Sequence, residues 1–255
     1  MATSPAVPSD PRAPCGVLRA HHVPYMYWYE YALRYHGSKT VLFALYLLVD
    51  SVREAESCLR SQGWTNANLP SSNPQFYDPA VDEHVVLGRG DDKVVLISSH
   101  NWSGIVPPTD DRDEAHYPSL PQLYSALAHR FLDTDCPDFR RYLLIQIDYL
   151  CQDCPALASP TFVSELPSDI QQFCLDWRLR SLSMLRPETI QHLRDIRARA
   201  RRGEWTLMYE GTADLGGWKI DRTYEGKLVA MMQAREAARS AGQVGLLLVL
   251  GRAEN

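Results

Sequence analysis

The sequence predicts an α+β fold: a small mixed β-sheet with flanking helices, followed by a mainly helical second half. Three observations predict it. Residues 40–49 (TVLFALYLLV) form a nearly unbroken apolar run of strand length, as expected of a strand covered on both faces. Residues 83–88 and 93–98 are β-forming runs around Arg89-Gly90-Asp91-Asp92, a hairpin signal. Beyond residue 118, apolar residues recur at helical spacing behind Pro and Ser starts. A chain of 255 residues with 45% hydrophobic and 22% charged residues can bury such a core without disulfides.

Taken in order, residues 1–24 carry Pro5, Pro8, Pro11, Pro14 and Pro24 and are predicted to be a flexible arm. Residues 25–36 are predicted to be one helix, with Glu30 and Arg34 paired at i,i+4 and Gly37 as its stop. Residues 40–49 follow as an interior strand. Ser51 caps a helix over 52–62, closed by Gly63. The prolines between 66 and 80 make that stretch a loop. After the hairpin comes a loop with four carboxylates in five positions: Asp110, Asp111, Asp113 and Glu114. This is read as a solvated loop, with metal binding as the competing reading. Helices are predicted over 120–132, 139–150, 168–185, 187–202 and 224–241, and 244–250 as a final apolar strand or turn. The division is therefore a 1–24 arm, a 25–118 α/β core and a 119–255 helical extension.

The usual mechanical parts of catalysis are missing from the sequence. No GxSxG, GxGxxG after a strand, GxxxxGK[ST] or HExxH pattern occurs among these residues. Cys151 and Cys154 form a lone CxxC, read as core or helix-end cysteines before a redox pair or a zinc site, which needs four ligands. Arg194, Arg197 and Arg201 share one helical face. They suit either phosphate or an acidic partner, or simply complement the helix C-terminal dipole. The net charge of −5 offers no global field for nucleic acid, and no apolar run has membrane-span length. Six cysteines without a signal-like N-terminus predict a reduced, cytoplasmic protein.

The most unusual feature is aromatic. Tyr25, Tyr27, Trp28, Tyr29, Tyr31 and Tyr35 fall within eleven positions. One helical face cannot hold them all, so they divide between core packing and an aromatic wall for a flat or apolar ligand.

The stretch WYEYALRYHGSKTVLFALYLLVDSVREAESCLRSQGW, with Gly63-Trp64 and the later Asn101-Trp102, resembles a fungal family of nucleotidyltransferase-like proteins. The resemblance covers about residues 25–105. It implies a nucleotidyltransferase-type sheet, with Gly37-Ser38 where a triphosphate-binding turn stands. It also implies two magnesium-binding carboxylates on the next strand, and those positions here are Ala44 and Tyr46. Neither can ligate magnesium, and Asp50 beyond them reads as a helix cap. The resemblance thus implies the fold without its two-metal mechanism.

The function expected from these readings is a repurposed fold acting on a small, largely apolar metabolite. It would be a cofactor- and metal-independent cyclase or isomerase of fungal secondary metabolism, pericyclic ring closure included. Glu30, His36 and Tyr46 are the candidate catalytic residues. Tyr25, Trp28, Tyr29, Tyr35, Gly37 and Ser38 are the candidate ligand-binding residues. No nucleic-acid or membrane partner is expected, and the sequence leaves the oligomeric state open. The alternatives are a non-catalytic binding or accessory protein, and a divergent nucleotidyltransferase drawing carboxylates from Asp82 or Glu83.

Overall fold

A computed structural model describes residues 10–70, 75–110, 112–159, 161–180, 182–213 and 215. Residues up to Gly211 belong to one compact unit, and Thr212–Asn255 to a second. The helix predicted over 224–241 and the apolar stretch 244–250 lie outside the described residues.

The first unit is α+β, built on a five-stranded mixed sheet of order β1-β2-β5-β4-β3. Its strands are β1 (Tyr25–Tyr27), β2 (Leu45–Val49), β3 (Thr65–Asn66), β4 (His84–Arg89) and β5 (Asp92–Ser98). β2 is interior, as predicted, but it starts five residues later than the apolar run suggests, because residues 40–44 lie before the reach of β1 and β5. It runs parallel to β5, with Leu45 opposite Val94 and Val49 opposite Ser98, and antiparallel to β1. β4 and β5 form the expected hairpin, closed by Gly90 at φ +61°.

The first correction concerns residues 25–36, which are not one helix. Tyr25–Tyr27 pairs with Leu47–Val49, and helix α2 begins only at Glu30 and ends at Tyr35. Aromatic residues favour strands when a neighbouring strand offers an apolar face, and β2 supplies one here. The second correction concerns the arm. Ala13–Ala20 is a helix, α1, with Pro14 in its first turn, where no amide donor is required. Cys15 and Leu18 on α1 are buried against the sheet. Burial pushes the Cys15 thiol up to about 12. In the native protein at pH 8, Cys15 is therefore expected to resist thiol-modifying reagents while the partly exposed Cys136 reacts. Equal labelling of both, read by mass spectrometry, would restore the loose arm.

Helix α3 (Val52–Ser61) forms as predicted, with Ser51 Oγ accepting the Glu54 amide 3.2 Å away. With α1 it covers the sheet face formed by Leu45, Leu47, Val49, Val94 and Leu96. The period of two turns Tyr46 and Leu48 to the opposite face. The remaining α-helices among the described residues are α4 (Leu120–Asp133), α5 (Pro137–Asp153), α6 (Phe162–Glu165), α7 (Ser168–Leu179) and α8 (Pro187–Arg201). The helix predicted to reach Leu185 stops at Leu179, because Arg180 turns left-handed at φ +51°. No helix among the described residues is long and apolar enough to cross a membrane.

The arginine face of α8 runs from the buried Arg197 to the exposed Arg201. Arg194 donates to Leu132 O and Asp135, Arg197 pairs with Asp133, and Arg201 pairs with Asp169. Its partners are the protein's own carboxylates and carbonyls, while Arg199 and Arg201 in the last turn stay exposed, where cations complement the helix dipole. The acidic loop is tied down likewise. Asp113 accepts from Tyr27 Oη at 3.1 Å and pairs with Arg19 at 3.2 Å.

Candidate functional site

Between β1 and α2 the chain turns within two residues. The Trp28 amide still donates to Tyr46 O, at 2.9 Å, and the Leu33 amide already donates to Tyr29 O. Tyr29 between them sits at φ +46°, ψ −121°. Side-chain-bearing residues rarely adopt that region, and such strain persists only where the surroundings impose it. Here they do. The Tyr29 hydroxyl donates to Phe76 O at 2.7 Å. Its ring lies edge-on to Tyr46, Trp102 and Tyr142, with centroids 5.3, 5.8 and 4.9 Å away. Trp28 packs on Trp102 at 4.7 Å, and Phe76 on Tyr46 at 5.1 Å.

Glu30, the first residue of α2, meets the Tyr142 hydroxyl at the edge of this packed aromatic cluster and is only 2% exposed. The predicted ion pair with Arg34 does not form: Arg34 faces outward, and Glu30 Oε1 instead accepts the Tyr142 hydroxyl at 3.0 Å. Burial drives the Glu30 carboxyl up to about 7, against its own backbone hydrogen bond and the Tyr142 hydroxyl. Glu30 Oε2 has no partner among the described residues. Neither does Oε1 of Gln146, one turn along α5 from Tyr142 on the same face, nor the indole nitrogens of Trp28 and Trp102. Buried polar atoms are nearly always paired, so the unpaired oxygen of a buried carboxyl stands out here. Burial also holds the Tyr29 and Tyr142 phenols far above their ordinary value. They stay protonated, and Glu30 is the cluster's group that changes charge near neutrality.

The structure therefore gathers Glu30, Tyr46, Trp28 and Tyr29 of the predicted site and disperses the others. His36 lies at the far end of α2, where its Nε2 meets Pro118 O at 2.8 Å and burial lowers its pKa. Tyr25 faces the α1 side of the sheet, stacked 4.0 Å from His116. Tyr35 is 50% exposed and stacks on Tyr117 at 4.2 Å. Gly37, at φ +98°, and Ser38 form a turn whose donors are already taken: Ser38 Oγ and the Lys39 amide both donate to Asp153 Oδ2, each at 3.0 Å. These bonds hold the Asp153 carboxyl below its usual range.

Other candidates resolve into structural roles. The Cys154 thiol donates to His36 O, and burial pushes Cys151 up to about 12. Asp82, a possible replacement metal ligand, is paired with Arg130 at 2.7 Å. Among the described residues, no three His, Cys, Asp or Glu side chains stand together as a metal site would require. Sequence reasoning missed Tyr142, Gln146, Trp102 and Phe76. The available signal was Tyr142 and Gln146, two polar residues four apart on the otherwise apolar face of α5.

No known protein family, curated protein or solved structure matches this chain.

Proposed function

We propose that the chain is a metal-independent cyclase or isomerase, with Glu30 as its acid–base residue and a small, largely apolar metabolite as its substrate. One observation carries this: a buried carboxyl poised near pH 7, with one oxygen unpaired, at a strained turn on the edge of an aromatic cluster. Tyr142 orients the carboxyl through Oε1 and leaves Oε2 to meet the substrate. A group half protonated at neutrality can give a proton and take it back, a contribution of about 10²–10⁴-fold. Trp28, Tyr29, Tyr46 and Trp102 supply apolar walls that hold a flexible substrate near its reactive shape. They are fully buried, so the substrate enters by displacing a ring. Phe76 is the ring placed for it, borne by an irregular loop. We read the 25–105 region as a nucleotidyltransferase-like core from which the metal carboxylates have been lost.

The test is a panel of cyclisable polyenes and unsaturated ketones, scored for turnover and for thermal shift. Glu30→Gln is expected to lower turnover about 10²–10⁴-fold while circular dichroism is unchanged. Full turnover in that variant overturns the assignment. A second reading is a non-catalytic binding or accessory protein, in which the Glu30 carboxyl meets a ligand without transferring a proton. It predicts ligand-induced thermal shifts without turnover. A shift with magnesium and nucleotide alone would point instead to a divergent nucleotidyltransferase.

A further inference from the structure

A buried histidine stands where three helices exchange charges. His129 on α4 is 5% exposed. Its Nδ1 faces two guanidiniums of α8, Arg197 Nη1 at 3.5 Å and Arg201 Nη2 at 3.4 Å. Guanidiniums only donate, so Nδ1 carries the lone pair and the ring proton sits on Nε2. That nitrogen faces Asp169 Oδ1 of α7 at 3.7 Å. The arginines are held in turn: Arg197 also donates to His129 O and pairs with Asp133 on α4, and Arg201 pairs with Asp169 at 2.6 Å. The charged side chains of α5, the other helix packed on α4, are engaged elsewhere. Arg140 turns to Phe131 O and Thr134 O, Asp138 pairs with Arg141, Asp148 pairs with Arg180, and Asp153 accepts from Ser38. His192, the other histidine of α8, faces Asp176 and Asp195.

The last turn of α8 depends on these bonds. The helix's apolar anchors, Ile190, Leu193 and Ile196, all precede Arg197, and beyond it Ala198 and Arg199 are exposed and Ala200 is half-buried. Past the helix the chain is fastened again, where Gln172 Oε1 of α7 accepts the Trp205 indole N–H at 3.2 Å and the Met208 amide at 2.8 Å. Residues 197–204 thus lie between two anchors and are tied to α4 and α7 by charge. We propose that His129 is a pH-sensitive latch, whose protonation at Nδ1 expels Arg197 and Arg201 and frees the last turn of α8. The proton takes the lone pair that both guanidiniums share and sets a third positive charge against them. Burial lowers the His129 pKa, Asp169 opposes that, and the two arginines add to it. The folded value lies below the ordinary 6.5, so the latch is fully closed above 6.5 and is lost as the pH falls through the folded value. This direction is opposite to that of Glu30, and the inference does not rest on Glu30.

The experiment is native-state hydrogen exchange of the full-length protein at pH 7.5 and pH 5, read peptide by peptide and corrected for the intrinsic pH dependence of exchange. Protection of residues 197–204 is expected to fall about ten-fold at the lower pH, while that of α3 does not fall. His129→Asn keeps an acceptor where Nδ1 stands and takes no proton, so its protection there should be the same at both pH values. The comparison is a ratio within each protein, so a general loss of stability in the variant cancels. Arg201→Gln removes one of the two repelling charges and should shrink the wild-type effect, which provides a second reading if His129→Asn does not fold. Unchanged protection of 197–204 in the wild type overturns the proposal. So does an equal fall in His129→Asn, which would assign the effect to His192. A fall shared by α3 overturns it too, because that is global unfolding rather than the release of one turn.

Discussion

The protein is expected to lose about 3 kcal/mol of stability through Glu30 alone as the pH rises from below 4.5 to above 7. The sign follows from proton binding. The folded carboxyl titrates near 7 and the unfolded one near its ordinary 4.5, so between these values the folded state holds the extra proton. The stabilisation is complete below the unfolded value and is lost as the pH passes the folded one. Solvent screening does little to reduce it, because the group is 2% exposed. Glu30→Gln keeps an acceptor for the Tyr142 hydroxyl and never ionises. It should match the wild type at pH 4.5 and exceed it by about 3 kcal/mol at pH 8.5. Urea titrations of both proteins across this range give the difference directly. Comparing them cancels His36, His129 and His192, whose pKa values burial lowers and which act in the opposite direction. A flat difference would mean that Glu30 is solvated or carries a charged partner.

What the sequence made legible is local, and what it hid is distant. The hairpin, the Ser51-capped α3 and the interior position of β2 rest on turn residues, caps and two-sided hydrophobicity, all visible within about ten residues. The run 25–36 misled because its residues suit either periodicity. Only the presence of Leu47–Val49 alongside makes Tyr25–Tyr27 a strand, and pairing across the sheet is not written in the segment itself. Glu30 was recognisable as a candidate, but its partner Tyr142 lies 112 residues away. The i,i+4 rule offered Arg34 instead, and burial overrode it. Likewise Gly37-Ser38 was visible as a turn, while Asp153, which occupies it, stands 115 residues from Ser38. The arginine face of α8 was correct in its spacing. Its purpose depended on where the C-terminal end of α4 lies, and no helical period encodes that.

The other large effect is expected at Arg130, where an alanine should cost about 3–5 kcal/mol. Arg130 on α4 reaches Asp82 at 2.7 Å, with side chains 7% and 1% exposed. Its guanidinium also lies 5.5 Å from the Phe139 ring centroid. Asp82 in turn accepts the Asp78 amide at 2.7 Å and Asn101 Nδ2 at 3.3 Å, and Asp78 accepts the Thr134 hydroxyl. This network fastens the loop before β4 to α4. Removing the guanidinium leaves a carboxylate buried with neutral donors only, and the cost is that of an uncompensated charge rather than of a lost contact. Pairing Arg130→Met with Asp82→Asn removes both charges and keeps an acceptor for the Asp78 amide. The double variant is expected to recover most of the loss, as measured by denaturant midpoints. If it is no better than Arg130→Met alone, the loss is not that of an uncompensated Asp82 charge. The same variants bear on the aromatic cluster, because this loop also carries Phe76, whose carbonyl holds the Tyr29 hydroxyl. Loosening it in Arg130→Ala removes the outer clamp on the strained turn. Protease cleavage near residues 75–82 should therefore accelerate in Arg130→Ala and return toward the wild-type rate in the double variant.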